Sequence, residues 1–377
     1  MGYRVKGVRK KVTLKALYLK PYTFNKLIVH PSCQNFIFGL MKKTAGIFSF
    51  LLVFTLIAGA QDVKTLQETA RDFSRQGDFA NAILVLNRAR DQEPNNLSVN
   101  KDLALACFQK PDLPKMQGIL KPLLERPDAD AEVFQLAGMM NKAFGDEKEC
   151  ERVYKKGLKS FPNSGPLHSD YGELLWDKQD YSAIKEWERG IETDPGYSGN
   201  YYNAAKYYYL TKDKVWALVY GEMFVNMESY SRRTVEIKNV LLDSYKKLFT
   251  DADMVKGQAT KNIFVAAFLS GMNRQSEIAK KGITVESLTM IRTRFIIDWF
   301  EKESTKFPLR LFDYQRQLLK EGTFDAYNQW LFGSVQNLPT FENWTSTHSV
   351  VYKQFTSSQG NRIFKPVTGQ YYQLSTK

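Results

Sequence analysis

Few residues in this chain have the types and spacing that catalysis or metal binding requires. Beyond residue 60 the only histidines are His168 and His348, which lie far apart in the sequence. The sequence contains no HExxH, no GxSxG, no GxGxxG and no GxxxxGK followed by serine or threonine. A hydrolase needs a nucleophile with a base, or a metal that activates water. We therefore expect a protein that is not an enzyme and that holds no cofactor and no metal.

Helix surfaces are then the better candidates for function, and the stretch from Ala131 to Ser164 shows how they are built. Its packing residues recur at gaps of three and four, which places each set on one face of a helix. Gly145 and Asp146 provide a turn between the two sets, and Pro162 closes the unit because proline has no N–H to donate. The packing residues are Phe134, Ala137, Gly138, Cys150, Tyr154 and Gly157.

The same pattern starts at residues 63, 97, 131, 165 and 198, so the unit repeats every 33 or 34 residues. A helical hairpin of this kind cannot bury its apolar face alone, and a row of them predicts a stacked array. The second unit departs from the pattern, because Asn100 replaces the usual aromatic residue and three prolines reshape its turns. Four side chains near helix starts are predicted N-caps: Ser98, Asp130, Ser164 and Ser198.

With its small and large packing positions and a proline near the end of the unit, this pattern resembles the tetratricopeptide repeat family over about residues 63–231. The resemblance implies an all-α fold: an α-solenoid of about five helix-turn-helix repeats, followed by a C-terminal helical region. It also implies a scaffold or adaptor that binds a protein or peptide in a concave groove. Relatives that grip a terminal carboxylate use lysines and asparagines at set groove positions, which this chain does not reproduce.

Stacked hairpins line such a groove with the non-core face of their first helices. Aromatic and cationic side chains on that face are common anchors at protein interfaces. An alternative is that the aromatic residues pack against the next helix and that the charged ones are merely solvated. The predicted partner-binding residues are Arg71, Lys142, Glu173, Trp176, Tyr202, Lys206 and Tyr209.

The net charge of +13 is concentrated at the front of the chain. Residues 1–60 hold ten basic residues and no acidic one, which leaves +3 for residues 61–377. The body therefore lacks the basic excess typical of nucleic-acid-binding proteins, and we expect no nucleic-acid partner.

Residues 41–60 have the three parts of a secretory signal peptide: Lys42 and Lys43, an apolar run from Ala45 to Ile57, and small residues up to Ala60. We expect cleavage near Ala60, with residues 1–40 as an upstream mistranslated segment, and a periplasmic or secreted protein. A retained anchor in the inner membrane is the alternative, although the run is shorter than the ~20 residues that span a bilayer. A mitochondrial transit peptide is a third possibility, for the basic residues 1–40, which contain no acidic residue.

Residues 61–250 are predicted to form the solenoid with a capping helix from Arg232 to Phe249, and residues 251–377 a helical region with an irregular tail. We expect a last helix from Phe341 to Phe355. An alternative function is an envelope enzyme or carbohydrate-handling protein, with a site around Trp299, Trp330 and Trp344. Cys107 and Cys150 occupy apolar positions of the repeat, so buried free thiols are expected, and a disulfide is the alternative.

Overall fold

The structure is a computed structural model that describes residues 62–250 and 254–374. Segments 1–40 and 41–60, including the predicted signal peptide, lie outside the described residues. The repeat helices are α1 Val63–Arg75, α2 Phe79–Gln92, α3 Leu97–Gln109, α4 Leu113–Leu123, α5 Ala131–Phe144, α6 Glu147–Ser160, α7 Gly165–Asp177, α8 Ala183–Thr193, α9 Ser198–Leu210 and α10 Lys214–Met227. The later helices are α11 Arg232–Thr250, α12 Ile263–Asn273, α13 Ser276–Ala279, α14 Val285–Lys302, α15 Arg310–Lys320, α16 Phe324–Asn328, a π-helix Gln329–Gly333, α17 Ser334–Gln336, α18 Leu338–Thr347 and α19 Ser349–Asn361.

The five predicted repeats are confirmed, because their first helices begin at residues 63, 97, 131, 165 and 198. Small residues let the two helices of a hairpin approach closely. A Cβ atom on Gly138 would lie 2.1 Å from the ring of Tyr154, and one on Gly172 would lie 2.3 Å from the indole of Trp187. Each large ring therefore needs a glycine opposite it. Successive first helices also touch one another, as an array requires.

The caps agree with the prediction at two of four positions. The side chains of Asp130 and Ser164 accept hydrogen bonds from the backbone at the starts of α5 and α7. Ser98 lies inside α3, which Asn96 caps instead, and Ser198 is the first residue of α9, which has no side-chain cap bond. Both errors are shifts of one or two residues at a helix end, where sequence patterns are least informative.

In the second repeat, Asn100 takes over the place of the usual aromatic residue through hydrogen bonds. Its side chain is buried, and its Nδ2 donates to the carbonyls of Pro94 and Asn96, each at 2.9 Å. Pro114 lies in the first turn of α4, where a missing N–H leaves no intrahelical bond unmade. The repeat therefore keeps its hairpin despite the altered residues.

Cys107 and Cys150 are both buried free thiols, as expected. The Sγ of Cys150 donates to the carbonyl of Gly138 at 3.3 Å. Burial raises the pKa of the Cys150 thiol to about 11, so it is held as the neutral thiol at neutral pH.

The later helices pack against the last repeat and α11. The predicted last helix, Phe341–Phe355, was wrong in one respect: two helices, α18 and α19, meet at His348, whose backbone is not helical. The Thr347 hydroxyl donates to the carbonyls of Asn343 and Trp344, which competes with backbone pairing at the end of α18. The His348 ring stacks on Trp344 with the ring centroids 4.4 Å apart.

One buried ion pair joins the fifth repeat to the C-terminal helices. Arg292 on α14 donates to Glu222 on α10, and both side chains are almost completely buried. Glu222 also accepts from Gln315 at 2.6 Å and from Tyr327 at 2.8 Å, and Arg292 donates to Asn328. Burying a charge is costly unless the charge is paired and hydrogen-bonded in this way.

Lys238 on α11 is a second buried charge, and it lacks such a partner. Its Nζ lies 3.7 Å from the ring centroid of Trp330, and no hydrogen bond or ion pair joins it to the residues that the structure describes. Burial lowers the pKa of Lys238 to about 7. Between this value and the ordinary lysine pKa of 10.5, the unfolded chain binds more protons than the folded one, so stability rises with pH across that window.

We expect Lys238→Met to stabilise the chain, since it removes the cost of burying an ammonium. The gain in unfolding free energy should be on the order of 5 kcal/mol at pH 6 and fall to about 1 kcal/mol at pH 9.5. Chemical denaturation at both pH values measures it, with the exposed Lys246→Met on the same helix as the matched control. A gain that is equal at the two pH values, or a loss at pH 6, would show that the ammonium is not penalised by burial.

None of the helices within residues 62–250 and 254–374 combines the length and apolarity needed to cross a membrane.

Candidate partner-binding groove

The first helices of the repeats present a row of polar side chains, and these bridge from one repeat to the next. Arg71 pairs with Asp102 at 3.0 Å, Lys142 with Asp177 at 2.6 Å, and Lys206 with Glu236 at 2.8 Å. The Tyr209 hydroxyl donates to Asp243 at 2.7 Å, and the Asn203 amide donates to Glu173 at 3.0 Å. The spacing of about one repeat between partners follows from the stacking. Each predicted cationic anchor therefore already has a carboxylate partner.

Five of the seven predicted residues line one cavity of about 430 Å³ between α7, α9 and α11: Glu173, Trp176, Tyr202, Lys206 and Tyr209. A neighbouring cavity of about 650 Å³ shares Trp176, Asp177, Tyr207 and Leu210 with it, so the two cavities adjoin along these residues. We call the two cavities together the aromatic cleft. Its further lining residues include Trp187, Asn203, Glu236, Val240, Gln179, Tyr181 and Thr211.

Arg71 and Lys142 are not part of the aromatic cleft. Arg71 lines a separate cavity of about 490 Å³ at the first repeat, together with Asp102 and Leu105. Lys142 touches the cleft only through its ion pair with Asp177. The predicted residues thus fall into two places along the array.

Trp176 forms the aromatic wall of the cleft. Its ring centroid lies 5.8 Å from that of Tyr181, 5.9 Å from Tyr207 and 6.0 Å from Trp187. Tyr181 and Leu210 are 63% and 67% exposed, so the wall presents apolar surface to solvent. Trp176 is only partly buried. Part of its ring packs against its neighbours, and the rest is exposed in the cleft.

The three consecutive tyrosines of α9 have different roles. Tyr207 lines the cleft, while Tyr208 donates to Glu188 at 2.6 Å and packs on Tyr220. The Tyr209 ring lies 4.2 Å from the Nζ of Lys247. Tyr208 therefore has the packing role that was the alternative for the aromatic residues, whereas Tyr207, which is not among the predicted residues, lines the cleft.

The charges lining the cleft are mostly negative. Glu173, Asp177 and Glu236 stand against Lys206. Burial alone would raise the pKa of Glu236, but hydrogen bonds from Lys206 and Tyr202 hold it below its usual value, so this carboxylate stays ionised. Within the described ranges, no three His, Cys, Asp or Glu side chains are grouped so that they could hold a metal ion.

The alternative site around the C-terminal tryptophans is not an open pocket. Trp299 and Trp330 are 2% and 5% exposed and pack among other aromatic rings. Trp344 is partly buried on α18, where its ring stacks on His348. The space beside Glu222 and Arg292 amounts to about 10 Å³, which is too little for a substrate.

No protein-family model matches the chain, and no curated protein matches it in sequence. A comparison with solved structures finds chains that are similar to this one. A thermophilic tetratricopeptide repeat protein of Thermus thermophilus is 13% identical, covering 48% of this chain and 99% of its own, with a TM-score of 0.42. YrrB, described as a tetratricopeptide repeat protein with an unusual peptide-binding site, is 13% identical over 49% of this chain and 96% of its own, with a TM-score of 0.33. A tetratricopeptide repeat protein of Parabacteroides merdae ATCC 43184 is 14% identical over 80% of this chain and all (100%) of its own, with a TM-score of 0.37.

Five consecutive helix pairs begin 33 or 34 residues apart, and the third and fourth pack a glycine of one helix on a large ring of the other; this arrangement gives residues 63–227 the tetratricopeptide repeat fold.

Proposed function

We propose that the chain is an exported, non-catalytic scaffold that holds a segment of another protein in its aromatic cleft. One observation carries this proposal: Trp176, Tyr207 and the exposed Leu210 line the same opening as three carboxylates. An exposed apolar wall rimmed by charge is typical of a surface that binds a partner.

The chemistry of the cleft favours one class of partner segment. An apolar or aromatic side chain would insert against Trp176 and Leu210, and burying it would provide the main gain in free energy. Glu173, Asp177 and Glu236 outnumber Lys142 and Lys206, the lysines that pair with two of them, so lysine or arginine residues beside the inserted side chain would be attracted and phosphates repelled. We therefore infer a protein or peptide partner with basic flanks and no nucleic acid.

Two matched peptides test this proposal. One has a central leucine with two lysines on each side, and the other has glutamates in their place. We expect the lysine peptide to bind the whole chain at least tenfold more tightly at low salt, with an affinity that falls as salt screens the charges. Fluorescence anisotropy of labelled peptides measures both affinities. Equal affinities of the two peptides, or an affinity that does not change with salt concentration, would contradict the proposal that the carboxylates of the cleft attract the partner.

Export rests on the sequence of residues 41–60. Expression of the whole chain in a bacterium and determination of the first residue of the mature protein test it. We expect Gln61 to be the first residue, and the protein to be in the periplasmic or secreted fraction. A mature chain that keeps residues 45–57 would instead support the membrane-anchored alternative.

A further inference from the structure

A second groove lies on the side of the second helices, away from the aromatic cleft, and a segment of the chain itself lies in it. After α19 ends at Asn361, the described residues run without further helix to Leu374. A turn at Gly369, whose φ is +84°, directs residues 370–374 across the molecule. We call residues 370–374 the tail segment.

The groove recognises the backbone of the tail segment as well as its side chains. The Nδ2 of Asn262 donates to the carbonyl of Tyr372 at 2.6 Å and to that of Gln373 at 3.0 Å. The backbone N–H of Arg310 donates to the side-chain carbonyl of Gln370 at 2.7 Å. Main-chain bonds of this kind are how proteins hold extended peptides in general.

The tyrosine and glutamine side chains of the segment occupy defined positions. The ring of Tyr372 stacks on Phe264 with centroids 5.0 Å apart, and its hydroxyl donates to the carbonyl of Pro308 at 2.5 Å. The Nε2 of Gln373 donates to the hydroxyl of Tyr208 at 3.1 Å. The fifth repeat, the start of α12 and the start of α15 thus all contribute to one groove.

The tail segment does not fill this groove completely. A void of about 20 Å³ remains beneath Tyr371 and Tyr372. Trp216 lines this void and is buried, and its indole N–H has no acceptor among the described residues. An unmade hydrogen bond of this kind destabilises the occupied groove. Tyr371 and Tyr372 are only half-buried, and Leu374 is exposed.

We propose that this groove is a docking site for an extended tyrosine-tyrosine-glutamine segment, that the chain's own residues 370–374 occupy it in cis, and that this occupant exchanges with free peptide. The recognised features are two backbone carbonyls, an aromatic ring on Phe264 and a glutamine amide on Tyr208. The incomplete filling makes exchange feasible. This site is independent of the proposed function of the aromatic cleft.

A labelled peptide of residues 368–374 tests the proposal on the full chain. Tyr372→Ala combined with Gln373→Ala loosens the chain's own tail but leaves the groove intact. We expect the peptide to bind this double variant at least tenfold more tightly than the wild-type chain, because the tail no longer competes. Circular dichroism checks that both proteins keep their helices. No binding by the folded double variant, or equal binding by both, overturns the proposal.

A conservative change in the groove provides the matched variant. Asn262 also caps α12 through its side-chain oxygen, which accepts from the N–H groups of Phe264 and Val265. Asn262→Asp keeps this acceptor and removes the donor to the tail carbonyls. Added to the double variant, it should weaken peptide binding at least fivefold, and unchanged affinity would overturn the assignment. A wild-type dimer that the peptide dissociates would assign the occupant to a second copy and overturn the cis assignment.

Discussion

Replacing Arg292 by methionine is expected to lower the free energy of unfolding by about 3–5 kcal/mol, because it leaves the carboxylate of Glu222 buried without its charge partner. Both side chains are at most 3% exposed, and Gln315 and Tyr327 are the remaining donors to Glu222. Chemical denaturation followed by circular dichroism measures the loss. Since Arg292 and Glu222 join different parts of the molecule, α14 should also separate from α10 before the first repeats unfold.

Two controls distinguish this interpretation from a general packing defect. The exposed pair Arg189–Glu192, with N and O atoms 2.8 Å apart, should lose less than about 0.5 kcal/mol on Arg189→Met. Adding Glu222→Leu to Arg292→Met should recover part of the loss, because it removes the uncompensated charge. A single variant within about 1 kcal/mol of wild type would mean that the pair does not hold these helices together.

Leu210→Lys is expected to weaken binding of the lysine-flanked peptide by at least tenfold without unfolding the chain. Leu210 is 67% exposed at the end of α9, so its replacement disturbs little packing, and a cation in the last turn suits the helix dipole. The new ammonium stands in the cleft beside Asp177 and repels a basic partner while removing the apolar contact. The glutamate-flanked peptide should gain affinity, and anisotropy titrations measure both changes.

Leu84 provides the matched control for this substitution. It is 52% exposed on α2, outside the aromatic cleft, and Leu84→Lys should leave both affinities unchanged. Leu210→Ala removes the apolar contact without adding a charge. The loss in the logarithm of affinity should be only about a third of the loss that Leu210→Lys causes. If Leu210→Lys and Leu84→Lys weaken binding equally, the peptide is not in the cleft.

The repeat architecture could be predicted from the sequence because the packing contacts within each hairpin join residues that are close in the sequence. Gly138 and Tyr154 are less than one repeat apart, as are Gly172 and Trp187, so the pattern of small and large residues already contains their contact. The second repeat kept its hairpin through Asn100, whose hydrogen bonds lie within six residues. Local rules therefore extended even to the irregular unit.

The contacts that joined distant segments could not be predicted in the same way. The bond from Asn262 to Tyr372 and the pair of Glu222 with Arg292 link residues with no shared periodicity. In the cleft, the choice of Trp176 and Tyr209 followed from helix faces, but the ion pairs of Lys142 and Lys206 depend on how far each repeat rotates on the last. The partner-binding role of these residues stays a prediction.

The most direct test of the central claim is photo-crosslinking from the cleft. A photoreactive phenylalanine analogue placed at position 210 of the whole chain is irradiated with the lysine-flanked peptide, and mass spectrometry maps the adducts. We predict adducts with the central leucine of the peptide from position 210, and none from the same analogue at position 84. Adducts of equal yield from both positions, or none from position 210 at a peptide concentration that saturates binding, would contradict the claim that the cleft is where a partner binds.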